Sequence, residues 1–77
     1  MALVRYFAAA EEAAGRTQEV RSDPTLGDLR AALATERPGL GGILPKCAVL
    51  VDGSRVEDDT VLTDDAVVDV LPPFAGG

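Results

Sequence analysis

Seventy-seven residues allow one small domain, and a chain of this size buries only about 60% of its unfolded surface, so its core must be well ordered. Thirteen Asp plus Glu against seven Lys plus Arg give a net charge of −6, which argues against nucleic acid, a ligand that calls for a basic face. An apolar content of 47% argues against disorder, no apolar run approaches the ~18 residues of a membrane span, and the single cysteine with no leader ahead of the first strand points to the cytoplasm.

Leu3-Val4-Arg5-Tyr6-Phe7, rich in β-branched and aromatic residues, reads as a first strand. Ala8 to Ala14 reads as a short helix closed by Gly15, and Thr17 to Arg21 as a weaker strand. After the turn Ser22-Asp23-Pro24, Thr25 is the N-cap of the main helix, with Asp28 three residues on as a carboxylate variant of the capping box. Leu26, Leu29 and Leu33 recur at spacings of three and four, which puts them on one face. Pro38 and the glycines after it end that helix, and 38–46 reads as irregular. Cys47 to Val51 is a short apolar run bounded by turn signals, hence a buried strand. Asp52-Gly53 then predicts a hairpin turn into Ser54-Arg55-Val56, because such a turn needs positive φ. Glu57-Asp58-Asp59 is a turn before Val61-Leu62. Asp64-Asp65 leads into the last strand, Ala66 to Leu71, which Pro72-Pro73 stops because proline cannot donate to a ladder.

Strand, strand, helix, strand, strand predicts one α+β domain, a mixed sheet with one main helix packed across one face. Residues 1–71 form that domain, and 72–77 an extended C-terminal tail. Strand parity adds a detail. Val4 and Tyr6 share one face and Leu3, Arg5 and Phe7 the other; Val68 and Val70 oppose Val67, Asp69 and Leu71. If Val4, Tyr6, Val68 and Val70 meet the helix and the two strands pair in parallel, Phe7 and Leu71 lie together at one end of the open face. Two readings of that end stay open: an apolar patch that marks a partner site, or residues partly covered by the short helix.

The missing residues exclude much chemistry. With no His or Trp, and only Ser22 and Ser54 as serines, Ser-His-Asp and Cys-His arrangements are impossible, and a zinc site would lack imidazole and paired thiolates. The pairs Glu11-Glu12, Asp58-Asp59 and Asp64-Asp65 are neighbours in sequence, which point apart on helix or strand, so they read as solvated turns or faces. Gly39-Leu40-Gly41-Gly42 follows Arg37-Pro38 and lacks the Gly-Lys-Ser/Thr ending of a phosphate loop. Lys46 reads as a surface cation, and Cys47 as a small buried hydrophobe with no activating neighbour. No metal or cofactor is expected on the chain.

The chain end is different. Two prolines hold the backbone extended past the sheet, and Phe74-Ala75-Gly76-Gly77 tapers to a bare backbone that fits a channel too narrow for any Cβ. A terminal carboxylate is ionised at neutral pH, with a pKa of about 3.5, and is a poor electrophile. Joining it to a nucleotide phosphate supplies a leaving group that a sulfur nucleophile can displace, one hard step being split into two easier ones.

Tyr6-Phe7-Ala8-Ala9-Ala10-Glu11-Glu12-Ala13-Ala14-Gly15, Val51-Asp52-Gly53 and Asp69-Val70-Leu71-Pro72-Pro73-Phe74-Ala75-Gly76-Gly77 resemble the MoaD/ThiS sulfur-carrier family. The resemblance covers essentially the whole chain and is greatest to the MoaD branch, the small subunit of molybdopterin synthase, in its actinobacterial form. It implies a ubiquitin-like β-grasp fold and adenylation of Gly77 by an E1-like activating enzyme that consumes ATP. It further implies conversion of Gly77 to a thiocarboxylate, which enters the large subunit's active site, where two sulfur transfers build the dithiolene of molybdopterin from a pterin precursor. Phe7 and Leu71 fall where family members meet the large subunit; Pro72, Pro73, Phe74 and Ala75 follow as partner-binding residues, and Gly76 and Gly77 as the segment that enters the channel.

Three departures or additions follow from the same comparison. Asp64-Asp65-Ala66 stands where many members have a glycine in the turn, Arg55 stands where relatives place an apolar contact, and Asp69 is a candidate for a salt bridge across an interface. Two other functions stay open: the same carrier chemistry directed to thiamin thiazole, cysteine or a sulfur-containing natural product, or a ubiquitin-like interaction module whose tail forms an isopeptide bond or does nothing.

Overall fold

Four short strands are built from the β-branched runs: β1 (Ala2–Tyr6), β2 (Gln18–Arg21), β3 (Ala48–Val51) and β4 (Val67–Leu71). They appear in a computed structural model that describes residues 1–73. β1 pairs in parallel with β4 and antiparallel with β2, and β3 pairs antiparallel with β4, giving the order β2-β1-β4-β3. Three helices, α1 (Ala9–Ala14), α2 (Leu26–Glu36) and α3 (Pro38–Ile43), and a 3-10 turn over Leu44–Lys46 complete the chain. This is a ubiquitin-like β-grasp with a mixed sheet.

Period-two alternation decides which face is covered. Val4, Tyr6, Val68 and Val70 are at most 2% exposed and share a core with Leu26, Leu29 and Leu33 of α2, Leu40 of α3, and Ala10 and Ala14 of α1. Each fully buried leucine contributes about 1.5–3 kcal/mol relative to exposure. All helices therefore lie on one side of the sheet, and the other side is open.

The start of α2 is satisfied from both sides. Asp28 N donates to Thr25 Oγ1 at 3.2 Å, as the capping pattern predicts, and the Thr25 hydroxyl donates to Asp28 Oδ2 at 2.9 Å. Leu26 N and Gly27 N donate to the carbonyls of Thr60 and Asp58 at 3.0 and 2.8 Å. The acidic loop after β3 thus supplies acceptors for two of the N–H groups that a helix start leaves unpaired.

Two local expectations are corrected. Residues 38–46 are helical and not irregular. Pro38 ends α2 and also opens α3, because its fixed φ suits a first helical turn where the missing N–H is no loss. The glycines permit close approach of α3 to α2: a Cβ on Gly41 would lie 2.9 Å from the Ala34 carbonyl oxygen, whereas one on Gly42 would meet nothing within 4 Å. Gly41→Ala should cost about 1–3 kcal/mol by overpacking, and Gly42→Ala should add up to about 1 kcal/mol through helix propensity. Urea unfolding of the two variants checks both signs.

The second correction concerns Ser54-Arg55-Val56. Asp52 and Gly53 do take the positive φ of a hairpin turn, 51° and 84°, but only a single bridge, Val51 to Ser54, follows. Asp52 N donates to Val67 O at 2.8 Å and its Oδ1 accepts from Val67 N at 3.0 Å, which binds the turn to β4. The residues beyond it offer one apolar side chain, Val56, which stays exposed, so a fifth strand would bury nothing. No helix among the described residues is long and apolar enough to cross a membrane.

Candidate functional site

The register sets the open face out in rows. Leu3 lies between Val20 and Val67; Arg5 lies between Gln18 and Asp69, with Leu50 beyond; Leu71 lies beside Ala48 at the far row. Phe7 extends the parallel ladder by one bond, its N donating to Val70 O at 3.2 Å. Ala8 then turns the chain with φ 50°, a conformation that costs an L-residue roughly 1–3 kcal/mol, and α1 begins. Phe7 is left 38% exposed and Leu71 half-buried, side by side at one end of the sheet. Both side chains are therefore partly exposed and partly covered at this end.

The strands place the remaining candidates unequally. Pro72 is buried and Pro73 exposed, so the first proline packs on the domain and the second leaves it. Phe74, Ala75, Gly76 and Gly77 lie outside the described residues. Asp69 is already engaged within the chain: Arg5 Nε donates to its Oδ1 at 2.6 Å and Arg5 Nη2 to its Oδ2 at 2.9 Å. The Arg5 guanidinium carbon also stands 5.8 Å from the centre of the Phe7 ring, within cation–π range. Arg55 is exposed in the loop beyond Gly53, at the opposite end of the sheet from Phe7 and Leu71.

Sequence reasoning missed a polar network behind this end of the sheet. Tyr6 Oη donates to Glu19 Oε2 at 2.6 Å, Arg37 Nη2 reaches the same oxygen at 2.9 Å, and Arg37 Nη1 donates to the Ala14 carbonyl at 2.9 Å. Towards the opposite end of β2, Arg21 joins Asp23 at 2.9 Å and Glu36 at 2.7 Å. Parity placed Tyr6 on the covered face, but no local pattern pairs it with a carboxylate thirteen residues on. The network ties β1, β2, the end of α1 and the residue after α2 together, one residue from Phe7.

Burial pushes the Glu19 carboxyl up, but the hydrogen bonds from Tyr6 and Arg37 outweigh it and leave the pKa below the ordinary carboxylate value. Burial and the bond to Glu19 push the Tyr6 hydroxyl well up. A lowered carboxyl pKa means that the stabilisation from Glu19 is complete above its unfolded value of about 4.3 and is lost as pH falls through the folded value. Thermal midpoints should therefore drop below about pH 4, and Glu19→Gln should flatten that acid limb while lowering the midpoint at neutral pH.

The remaining candidates carry no assembled chemistry. Cys47 is half-buried, its Sγ donates to the Ile43 carbonyl at 3.3 Å, and burial raises its pKa, the opposite of an activated thiol. Asp64 holds the N-terminal ammonium at 2.7 Å, and Asp58 stands 3.7 Å from Arg30. Among the described residues no group of three or more His, Cys, Asp or Glu could hold a metal ion.

A model of the ThiS family matches residues 4–77. Small archaeal modifier protein 3 of Haloferax volcanii is 35% identical over an 88-residue alignment that covers 96% of this chain and 96% of that one. Small archaeal modifier protein 1 of Methanosarcina acetivorans, in its solution structure, has a TM-score of 0.86 at 23% identity, with 99% of this chain and 95% of that one covered. A chain of the complex of subunits 1 and 2 of molybdopterin-converting factor from Helicobacter pylori matches with a TM-score of 0.72 at 29% identity, with 99% and 97% covered.

Proposed function

Because the chain belongs to the ThiS family of ubiquitin-like sulfur carriers and modifiers, we propose that it carries sulfur on its C-terminal Gly77 as the small subunit of molybdopterin synthase. The observation that carries this reading is the placement of Phe7 beside Leu71. The parallel β1–β4 register leaves both on the open face, at the end of the sheet where β4 runs into Pro72. A docked partner then meets an apolar contact and the root of a Gly-Gly tail at once.

The chemistry follows from the terminal carboxylate. Its oxygen attacks the α-phosphorus of ATP in an E1-like activating enzyme, and pyrophosphate leaves. Hydrosulfide then attacks the acyl carbon, AMP leaves with the bonding electrons, a proton is lost, and a thiocarboxylate remains on Gly77. The chain itself binds no cofactor in this scheme and contributes rigidity, a docking face and the tail. Its small, unbranched end passes where a side chain would not. The large subunit receives the tail, a reading supported by the 29% identity to a chain from the Helicobacter pylori complex of subunits 1 and 2.

Sulfur-charged protein mixed with the molybdopterin synthase large subunit and the pterin precursor tests the assignment. Loss of sulfur from the chain with dithiolene formed in step is expected. Retention of sulfur with that subunit, and its loss to a thiazole-forming or cysteine-forming enzyme, would overturn it.

A second reading rests on the 35% identity to small archaeal modifier protein 3: the activated Gly77 is passed to a lysine amine of another protein, as an isopeptide bond. Covalent adducts that survive reduction and boiling, formed with activating enzyme and ATP, would favour it.

A further inference from the structure

We propose that the tail end of the sheet is framed by a pair of cations, Arg16 and Lys46, and that it docks on a protein surface that is acidic on both flanks of its tail-receiving channel. The inference rests on the reading that the tail is delivered to a partner. It adds the charge that partner must present.

The strand register locates both residues. Tyr6 N donates to Thr17 O, and Arg5 stands opposite Gln18, so Arg16 falls just beyond the end of β1 on the β2 side. Ala48 stands opposite Leu71 in an antiparallel pair, and Lys46 ends the 3-10 turn that leads through Cys47 into β3, so Lys46 lies two residues from the start of that strand at the same end of the sheet. The two cations therefore sit at opposite corners of one sheet end, with Phe7 and Leu71 between them. Three strand spacings separate the corners, about 14 Å. Both are exposed, and among the described residues neither makes a salt bridge. Lys46 is the only lysine of the chain.

Most of the acidic residues lie elsewhere. Asp23 follows β2, Asp52 follows β3, and Asp64 and Asp65 precede β4, all at the opposite end of the sheet. Glu57, Asp58 and Asp59 belong to the loop that caps α2 at that same end. On the open face the charged residues Arg5 and Asp69 neutralise each other. At the tail end Glu19 is held by Tyr6 and Arg37 on the covered face, and Glu11 and Glu12 belong to α1, in the layer behind the sheet. A chain of net charge −6 thus offers cations at the two corners of the edge that a partner must approach. Rim charges of this kind act on association rate and orientation more than on the final contact.

Charge reversal gives the test a sign. Binding of the intact chain to its activating enzyme and to the large subunit is followed by stopped flow at low and high salt, using K46E, R16E and the control R55E. Each changes the net charge equally, but Arg55 lies at the far end. Together K46E and R16E should slow association by about tenfold at low salt, with the difference shrinking at high salt. R55E should change little, and all three should keep the wild-type thermal midpoint. Faster association of K46E and R16E would mean a basic partner surface and would overturn the proposal. So would an equal slowing by R55E, which would assign the effect to net charge, or no effect of any reversal. Failure of the wild-type chain to bind either protein would instead remove the carrier reading on which the proposal stands.

Discussion

Deleting Gly77, or adding one residue after it, should abolish sulfur transfer while leaving the thermal unfolding midpoint almost unchanged. The core that holds the domain is made by Val4, Tyr6, Val68 and Val70 against Leu26, Leu29, Leu33 and Leu40, all at or before Val70. Nothing in that set depends on the last residue. The proposed reaction does, because in it the terminal carboxylate accepts the adenylate, and an added residue moves that carboxylate by about 3.5 Å. Displacements of about 1 Å already cost two orders of magnitude when geometry carries the rate. Turnover with activating enzyme and large subunit, beside a thermal melt, reads both quantities. A melt lowered by many degrees would make the tail a structural element and the loss of transfer uninformative.

Phe7→Asp should weaken binding to the large subunit by about 30-fold or more, the factor that corresponds to a central apolar contact worth about 2 kcal/mol. Phe7 is 38% exposed at the open face of the sheet, so its replacement leaves the core intact. Its ring lies under Arg5, which is held by Asp69 in a two-bond pair. The ring is therefore a preset surface and loses little freedom on docking. Leu71→Asp should weaken binding similarly, with some loss of stability because Leu71 is half-buried in β4 beside Ala48. Calorimetric titration against the large subunit measures both, and unchanged affinity in Phe7→Asp would reject the docking face.

Where local pattern and long-range packing agreed, the sequence was readable. Alternation in Leu3–Phe7 and Val67–Leu71 identified the covered and open faces. Thr25 with Asp28 marked the start of α2, and Gly15 closed α1 with φ 76°. Helix α3 was not legible, because glycines at 39, 41 and 42 read as loop on propensity alone. What they supply is the close passage of α3 over Ala34, a tertiary fact with no local signature. Ser54–Val56 failed in the opposite sense: the turn chemistry was right, but a strand needs something to cover.

The open end of the sheet was readable in part for the same reason. Phe7 and Leu71 followed from parity and a parallel pairing. The Tyr6–Glu19–Arg37 network did not, since it joins residues from two strands and the end of a helix. Asp69, a candidate for an intermolecular pair, is satisfied by Arg5 on the neighbouring strand. A charge on an open sheet face that has a partner opposite it in register needs none from outside, and only the register reveals that.

The intact mass of the protein after incubation with an activating enzyme, ATP and a sulfur donor shows whether Gly77 carries sulfur. A gain equal to the replacement of one oxygen by one sulfur is expected, located on the terminal peptide that ends in Gly77, with no gain when ATP is withheld. An unchanged mass with an activating enzyme shown to bind the chain would contradict it and leave the chain as a ubiquitin-like interaction module.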